Sequence, residues 1–485
     1  MSKDLGNNNP FKAGNNQMSA TNAFKKATGA PQPGTGPNIN ANLSPQTPNT
    51  QAPQFGATSN PLNKSNPFNN KPSGQNANTQ AEQSQSGENE AEGSGVISFV
   101  NNIIENAVLL KVSDIHIEPY KGSSRLRYRR DGGLKEVEEY RNFLHQNYSA
   151  ITTRVKILAS LDISERRLPQ DGAISFPYMN GFVDIRVSVL PTGAGERIVM
   201  RIMDKTSLTR PLDELGFPES VLPKIRKAIA SPQGMILVTG PTGSGKSTTL
   251  YAVLNALNDP DVNILTAEDP VEFEVSGIGQ VAVKDHIGLT FAAALRSFLR
   301  QDPEIIMVGE IRDKDTGDIS VKASLTGHLV LSTLHTNSAP GTITRLLNIG
   351  IPGYLLASSL TLIIAQRLAK VICPDCKKED SSVTTEMLMS IGFTEEDANN
   401  TKTYIGAGCD NCFNTGTKGR RAIHEVLVVT KNIKEAILND KNDLELMEIA
   451  ETKDGFLSMQ NRGRQLMSEG IISLKEYQRV LVVDD

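Results

Sequence analysis

The sequence predicts an α/β protein, in which two α/β units follow a low-complexity tail. Three observations carry this. Residues 1–94 are dominated by Asn, Gln, Ser, Thr, Gly and Pro, and the first 93 hold 18 asparagines and ten of the chain's 25 prolines. With so few aliphatic side chains, burial cannot offset chain entropy, and this tail is expected to be disordered. Beyond it, short apolar runs alternate with stretches of helical periodicity, the pattern of a doubly wound sheet. Finally, GPTGSGKS joins one of those apolar runs directly to a helix-forming stretch.

Order is expected from about Val96, where VISFVNNIIENAVLL carries apolar residues at helical spacing and runs into the alternating strand SDIHIEPY. His116 alternates there with Ile115 and Ile117, which makes it a solvent-facing strand residue by pattern. RLRYRRDGGLKEVEEY reads as a hairpin turning at Asp131-Gly132-Gly133. A helix over 150–161 and strands near 173–177, 183–190 and 197–202 complete a first small unit, and the polar linker DKTSLTRPLDE follows. The second unit opens with GMILVTG, a buried parallel strand by its continuous apolarity. Strands NILTAED, EIIMVGE and LVLSTLH then alternate with helical FAAALRSFLR, TGDISVKASL and GTITRLLNIG. Amphipathic helices are expected after Asn432.

The composition excludes several classes. A formal charge of −4 and a pI near 6.0 argue against a strongly basic nucleic-acid coat. No run approaches 18 apolar residues and no signal-peptide core follows Met1, so a soluble, cytoplasmic chain is expected.

Gly240, Pro241, Thr242, Gly243, Ser244, Gly245, Lys246 and Ser247 form the eight-position phosphate-loop pattern, with Thr248 next in the helix. Glycines there let successive N–H groups turn inward on phosphate oxygens, and the helix N-terminus adds its dipole. Lys246 is placed to reach the β- and γ-phosphates of ATP, and Ser247 to hold Mg²⁺. Hydrolysis also needs acids at the carboxyl ends of neighbouring strands. Glu268 and Glu310 are the candidates, since each ends an apolar run. All four cysteines lie in Cys373-Pro-Asp-Cys376 and Cys409-Asp-Asn-Cys412, separated by 32 residues. In a cytosolic chain this spacing points to a closed, structural Zn²⁺ site.

SDIHIEP, RLPQDG, IRVSVLPTGAGERIVMR, GPTGSGKSTTL, AEDPVEF, LRSFLRQDPEIIMVGEIRD and TGHLVLSTLHTNSA, with the paired cysteines and RAIHEVL, resemble the secretion ATPases, the motors of type II secretion and type IV pilus assembly. The resemblance runs from about Gly95 to the C-terminus. It implies a PAS-like domain (95–204), a linker (205–215), a RecA-like P-loop NTPase core (216–367), a tetracysteine zinc region (368–431) and a C-terminal helical region (432–485). It also implies a homo-hexamer working through an inner-membrane platform protein and its cytoplasmic adaptors. Pilin-like subunits would be moved indirectly, with peripheral attachment at the inner membrane and no nucleic acid.

By position, the resemblance makes Glu268 the acidic-box glutamate and Glu310 the Walker-B glutamate that joins Ser247 on Mg²⁺. His328 and His335 match the histidine box. Arg186 and Arg201 match arginines that reach a nucleotide across a domain or subunit boundary, and Arg296 and Arg300 match a second basic pair. Departures are Ala173 for a common arginine, Gly317 for a usual alanine, and Thr417 at a position often aromatic. The tail stands where many assembly motors carry a folded N-terminal domain. Its isolated Phe11, Phe24 and Phe68 are candidate docking motifs. The expected function is ATP-driven assembly of a pilus or secretion pseudopilus. A retraction motor is the nearest alternative, although such motors usually lack paired cysteines. A nucleic-acid translocase is opposed by the pI and the absence of tryptophan.

Overall fold

The computed structural model describes residues 79–179, 181–203 and 210–482, with side chains from residue 94 onward. The candidate docking phenylalanines and residues 204–209 of the linker lie outside these. The first helix, Thr79–Leu109, begins inside the stretch that composition assigns to the tail. Its opening turns are rich in Ala, Glu and Gln, which have high helix propensity despite their polarity.

Six strands form the first sheet: β1 (Asp114–Tyr120), β2 (Ser123–Arg130), β3 (Gly133–Glu136), β4 (Gln170–Tyr178), β5 (Gly181–Thr192) and β6 (Gly195–Ile202). Their order is β3-β2-β1-β6-β5-β4, antiparallel throughout. The β2–β3 turn uses Asp131 and Gly132, both at positive φ (48° and 80°), the geometry that matches strand twist in a two-residue hairpin. One face packs under the first helix and helix Tyr148–Leu158, through Val100, Ile103, Ile151 and Val155 against Ile115, Ile117, Leu126 and Ile198.

The opposite face is a charge lattice. Glu118 pairs with Arg125 (3.0 Å), Arg127 (2.6 Å) and Arg197 (2.6 Å), and Asp114 with Arg129 (3.3 Å) and Arg201 (2.9 Å). These side chains roof over His116, which is only 7% exposed and so not the solvent-facing residue its alternation suggests. Alternation identifies the face a side chain takes, whereas long arginines on flanking strands decide whether that face is wet. Burial, reinforced by Arg129, holds the His116 imidazole below its ordinary pKa.

The second sheet comprises β7 (Gly234–Thr239), β8 (Ile264–Glu268), β9 (Ile278–Ala282), β10 (Ile305–Val308), β11 (Leu329–Leu334), β12 (Leu360–Ile372) and, after a ribbon of β13 (Lys377–Glu379) and β14 (Tyr404–Gly406), β15 (Thr417–Val428). The order is β15-β12-β7-β11-β10-β8-β9, parallel except at β15. Every residue of β7, β10 and β11 is buried, as continuous apolar runs require when helices cover both faces. Leu250 and Val253 of helix Lys246–Leu257 pack one face, with Ile225 of helix Leu222–Ile229. Leu295, Val321 and Ile343, from helices Phe291–Phe298, Lys314–Leu325 and Ala339–Ile349, pack the other. The C-terminal helices join that second core through Leu466, Met467 and Tyr477. Gly317 has a packing reason: a Cβ there would stand 2.6 Å from Ile351 Cδ1, so Ile351 occupies the space an alanine would take.

Candidate functional site

The phosphate loop leaves β7 and turns into helix Lys246–Leu257 through Gly240, Gly243 and Gly245, at φ 143°, 78° and 91°. Only glycine takes those angles without strain. Space imposes the same choice, because a Cβ on Gly240 would stand 2.3 Å from Gln366 O and one on Gly245 2.7 Å from Gln366 Nε2. Gln366, on β12, braces the loop directly. Its Nε2 donates to Ser244 O (2.7 Å) and its Oε1 accepts from Thr249 Oγ1 (2.8 Å). Gln366 belongs to no motif in the sequence, and the signal it does carry is a lone amide in the apolar run LTLIIAQRL. Pro241, Thr242 and Ser247 are exposed, Thr248 is half-buried and Ser244 is buried.

Lys246 Nζ donates to Gly240 O (2.9 Å) and Pro241 O (3.2 Å). Burial lowers its pKa, and the negative charge of Glu310 acts in the opposite direction. Glu310 follows β10 and meets Arg312 and His335 Nε2 (3.4 Å); Arg312 also approaches Asp269 at 3.6 Å. Lys246, Glu310, His335 and the segment after β8 therefore share the carboxyl edge of the sheet, where α/β folds place their ligands. Arg312 is a further member of this cluster that motif reading did not single out. Arg186 comes to the same edge from the first sheet. Its Nη2 donates to Val271 O (2.8 Å) and its Nη1 pairs with Glu272 (2.9 Å). Arg201 lies directly across β5–β6 from Arg186 and is held by Asp114.

Glu268 ends β8 and is 4% exposed, with its carboxylate bound by Tyr251, Thr266 and Gln280.

Three expected site residues are not brought to this chain's phosphate loop. His328 precedes β11 and His335 follows it, so the 6 residues of that strand hold them about 23 Å apart, at about 3.3 Å per step. His328 O accepts from Gly234 N, at the amino end of β7, and its ring meets Ala323 O (3.0 Å). Spacing that looks like one box in sequence is here the two ends of a strand. Arg296 and Arg300 sit where the chain leaves helix Phe291–Phe298 for the amino end of β10. Arg296 reaches Asp315 at 4.0 Å, and Arg300 bonds Arg296 O (2.7 Å).

The four cysteine sulfurs lie within 4.8 Å of one another, with separations of 3.9 Å (Cys373–Cys409), 3.8 Å (Cys376–Cys412) and 3.7 Å (Cys409–Cys412). A zinc tetrahedron with Zn–S of about 2.3 Å has edges of about 3.8 Å, so the cage fits that ion. Backbone N–H groups of Gly408, Cys409 and Gly416 donate to its sulfurs at 3.3, 3.2 and 3.3 Å, which suits thiolates.

The second cysteine pair also holds the first domain. Phe413, immediately after Cys412, receives Arg130 over its ring (4.7 Å) and Lys135 both over the ring (5.8 Å) and at its carbonyl (2.7 Å). Asp131, in the hairpin turn, accepts from Gly419 N at 2.9 Å. Beside this clamp is a cavity of about 580 Å³, lined in part by Tyr128, Tyr140, Lys370 and Thr417. Chelation is expected to release one metal per chain and to raise amide exchange in the β2–β3 hairpin as well as in the cysteine loops, since structural zinc contributes on the order of 10 kcal/mol. Hydrogen exchange before and after chelation checks this; a hairpin that stays equally protected would show that the clamp does not need the metal.

A family model described as type II/IV secretion system protein matches residues 89–479. The chain is 50% identical over 387 residues to the type IV pilus assembly ATPase PilB of Myxococcus xanthus, covering 80% of this chain and 68% of that one. It is 43% identical over 386 residues to type II secretion system protein E of Klebsiella pneumoniae, covering 79% and 76%. Among solved structures, the Legionella pneumophila ATPase DotB matches with a TM-score of 0.58 at 23% identity, over 79% of this chain and 95% of that one, a likeness of fold. The pilus retraction motor PilT, with bound ADP, matches with a TM-score of 0.53 at 25% identity, over 78% and 96%. With that match over most of its length, and with an intact phosphate loop on the parallel sheet that the antiparallel sheet reaches through Arg186, the chain belongs to the type II/IV secretion system protein family.

Proposed function

We propose that this chain hydrolyses ATP as a homo-hexamer in the cytoplasm, at the inner membrane, and drives assembly of a type IV pilus or a secretion pseudopilus through a platform protein. The observation that carries the reading is the convergence of Lys246, Glu310 and Arg186 on one sheet edge, in a chain half identical to a pilus assembly ATPase. Lys246 and the inward N–H groups of the loop receive the phosphates. Ser247 and Glu310 supply the hard oxygen ligands for Mg²⁺, which when bound neutralises phosphate charge. Arg186, and Arg201 beside it, bring permanent positive charge from the first domain toward the phosphates, so closure of one domain on the other completes the site. Arg296, Arg300 and His328 lie away from their own loop, which suits a role at the neighbouring subunit of a ring. The cysteine cage takes Zn²⁺ and ties the two domains through Phe413.

No helix among the described residues is long and apolar enough to cross a membrane, consistent with attachment through partners. The paired cysteines favour assembly over retraction. Deletion of the chain in its own host distinguishes the readings. Loss of surface pili, restored by the wild-type gene, supports pilus assembly. Loss of secreted proteins with pili intact assigns the secretion pseudopilus. An excess of pili that cannot be withdrawn would overturn the assembly reading in favour of retraction.

A further inference from the structure

Glu268 is a buried carboxylate whose hydrogen-bond partners among the described residues include no cation. Tyr251 Oη donates to its Oε2 at 2.6 Å, while Thr266 Oγ1 (2.6 Å) and Gln280 Nε2 (3.1 Å) donate to Oε1. Both oxygens are thus fixed by uncharged donors, and each donor lost leaves a buried charge less well satisfied. The three donors come from different places. Thr266 belongs to the same strand as Glu268. Tyr251, 1% exposed, stands on the helix that begins at Lys246, and Gln280 stands on β9.

Tyr251 and Gln280 also hold the segment after Glu268. The Tyr251 hydroxyl accepts from Phe273 N (3.4 Å) and from Gln280 Nε2 (3.3 Å). Gln280 donates to Phe273 O (2.9 Å) and accepts from Val275 N (2.7 Å). Two residues before Phe273 lies Val271, whose carbonyl, with the neighbouring Glu272 carboxylate, is the anchor for Arg186. One buried hydroxyl therefore touches the phosphate-loop helix, the Glu268 carboxylate and the loop gripped by the first domain.

We propose that Tyr251 is a positioning residue for ATP hydrolysis, its hydroxyl setting the Glu268 carboxylate and making that setting depend on the loop that Arg186 holds. The proposal rests on the reading that Glu268 acts in the reaction. Closure of the first domain pulls on Val271 and Glu272, and phosphate binding pulls on the first turn of the Lys246 helix. Both movements meet at Tyr251.

Tyr251→Phe keeps the ring and removes the hydroxyl. With the full-length protein, kcat is expected to fall about tenfold while KM for ATP stays within about twofold, the split that marks loss of an interaction needed in the transition state. A merely structural hydroxyl would lower the unfolding midpoint and leave kcat of the folded enzyme unchanged. The second measurement is a cycle with Arg186→Ala, in which the double variant should lose less than the product of the two single losses. Thr266→Val, which removes a donor that does not touch the loop, should multiply independently with Arg186→Ala. If Tyr251→Phe is too unstable to purify, Gln280→Met tests the same junction by the same measurements. Unchanged kcat, or independent multiplication with Arg186→Ala, overturns the proposal. Glu268→Gln separates the two failures. If it turns over normally, the reading of Glu268 fails and the proposal with it; if it is inactive while Tyr251→Phe is normal, only the positioning role fails.

Discussion

Lys246→Ala is expected to fold normally and to hydrolyse ATP at least about 10²-fold more slowly, the scale on which loss of one preorganised charge-stabilising donor acts. Lys246 opens its helix, and its ammonium is satisfied by two loop carbonyls, Gly240 O and Pro241 O, so no core contact goes with it. Alanine at the first helical position is also a good helix former. What disappears is the cation proposed to meet the β- and γ-phosphates, next to the negative field of Glu310. Steady-state turnover and a thermal unfolding curve on the same preparation check both halves. Wild-type turnover would remove the phosphate-site assignment. A midpoint many degrees lower would mean that the loss of activity reported a damaged fold.

The parts of this site that were legible in the sequence are those written within a few residues of each other. The phosphate loop, the acids ending β8 and β10 and the cysteine pairs each combine residue type with a local spacing that chemistry requires. What stayed hidden depends on which strands lie side by side. Gln366 and Ser244 are 122 positions apart, and they meet because β12 pairs with β7. Asp131 and Gly419, 288 apart, meet because a hairpin tip of one domain reaches the cysteine region of the other. Tyr251 is an apolar-face residue by helical periodicity, and nothing in that pattern marks its hydroxyl as the donor to Glu268. His328 and His335 are the converse case, since a motif joins what a strand of about 3.3 Å per residue holds apart within one chain. His116 was placed on the polar face by alternation, which is where it lies. His116 is nevertheless buried on that face, where five partly exposed arginines pair with Asp114 and Glu118 around it.

Arg186→Ala should be the second severe loss, and for a reason that separates it from an ordinary surface arginine. Ion pairs between half-exposed side chains contribute about 0–1 kcal/mol to stability, so the Arg186–Glu272 pair is a poor candidate for holding the fold together. The same guanidinium nevertheless bridges two domains, with one N–H on Val271 O and another on Glu272, beside the end of β8. Arg201 stands next to it across the sheet and pairs with Asp114 of its own domain, so Arg186 is the arginine of the two that contacts the second domain directly. If closure of the first domain brings this charge to bear on the transferring phosphoryl group, its removal should cost roughly 10³-fold or more in kcat, the range of arginine fingers. Nucleotide affinity of the open form should change little, because the phosphate loop is untouched. Arg186→Lys should not restore the rate, since an ammonium cannot reproduce two parallel N–H donors in a fixed plane. Rates within about twofold of wild type for Arg186→Ala would reduce the contact to a surface pair. Equal losses in Arg186→Ala and Glu272→Ala would instead show that the interdomain grip, rather than the charge delivered to phosphate, limits the reaction.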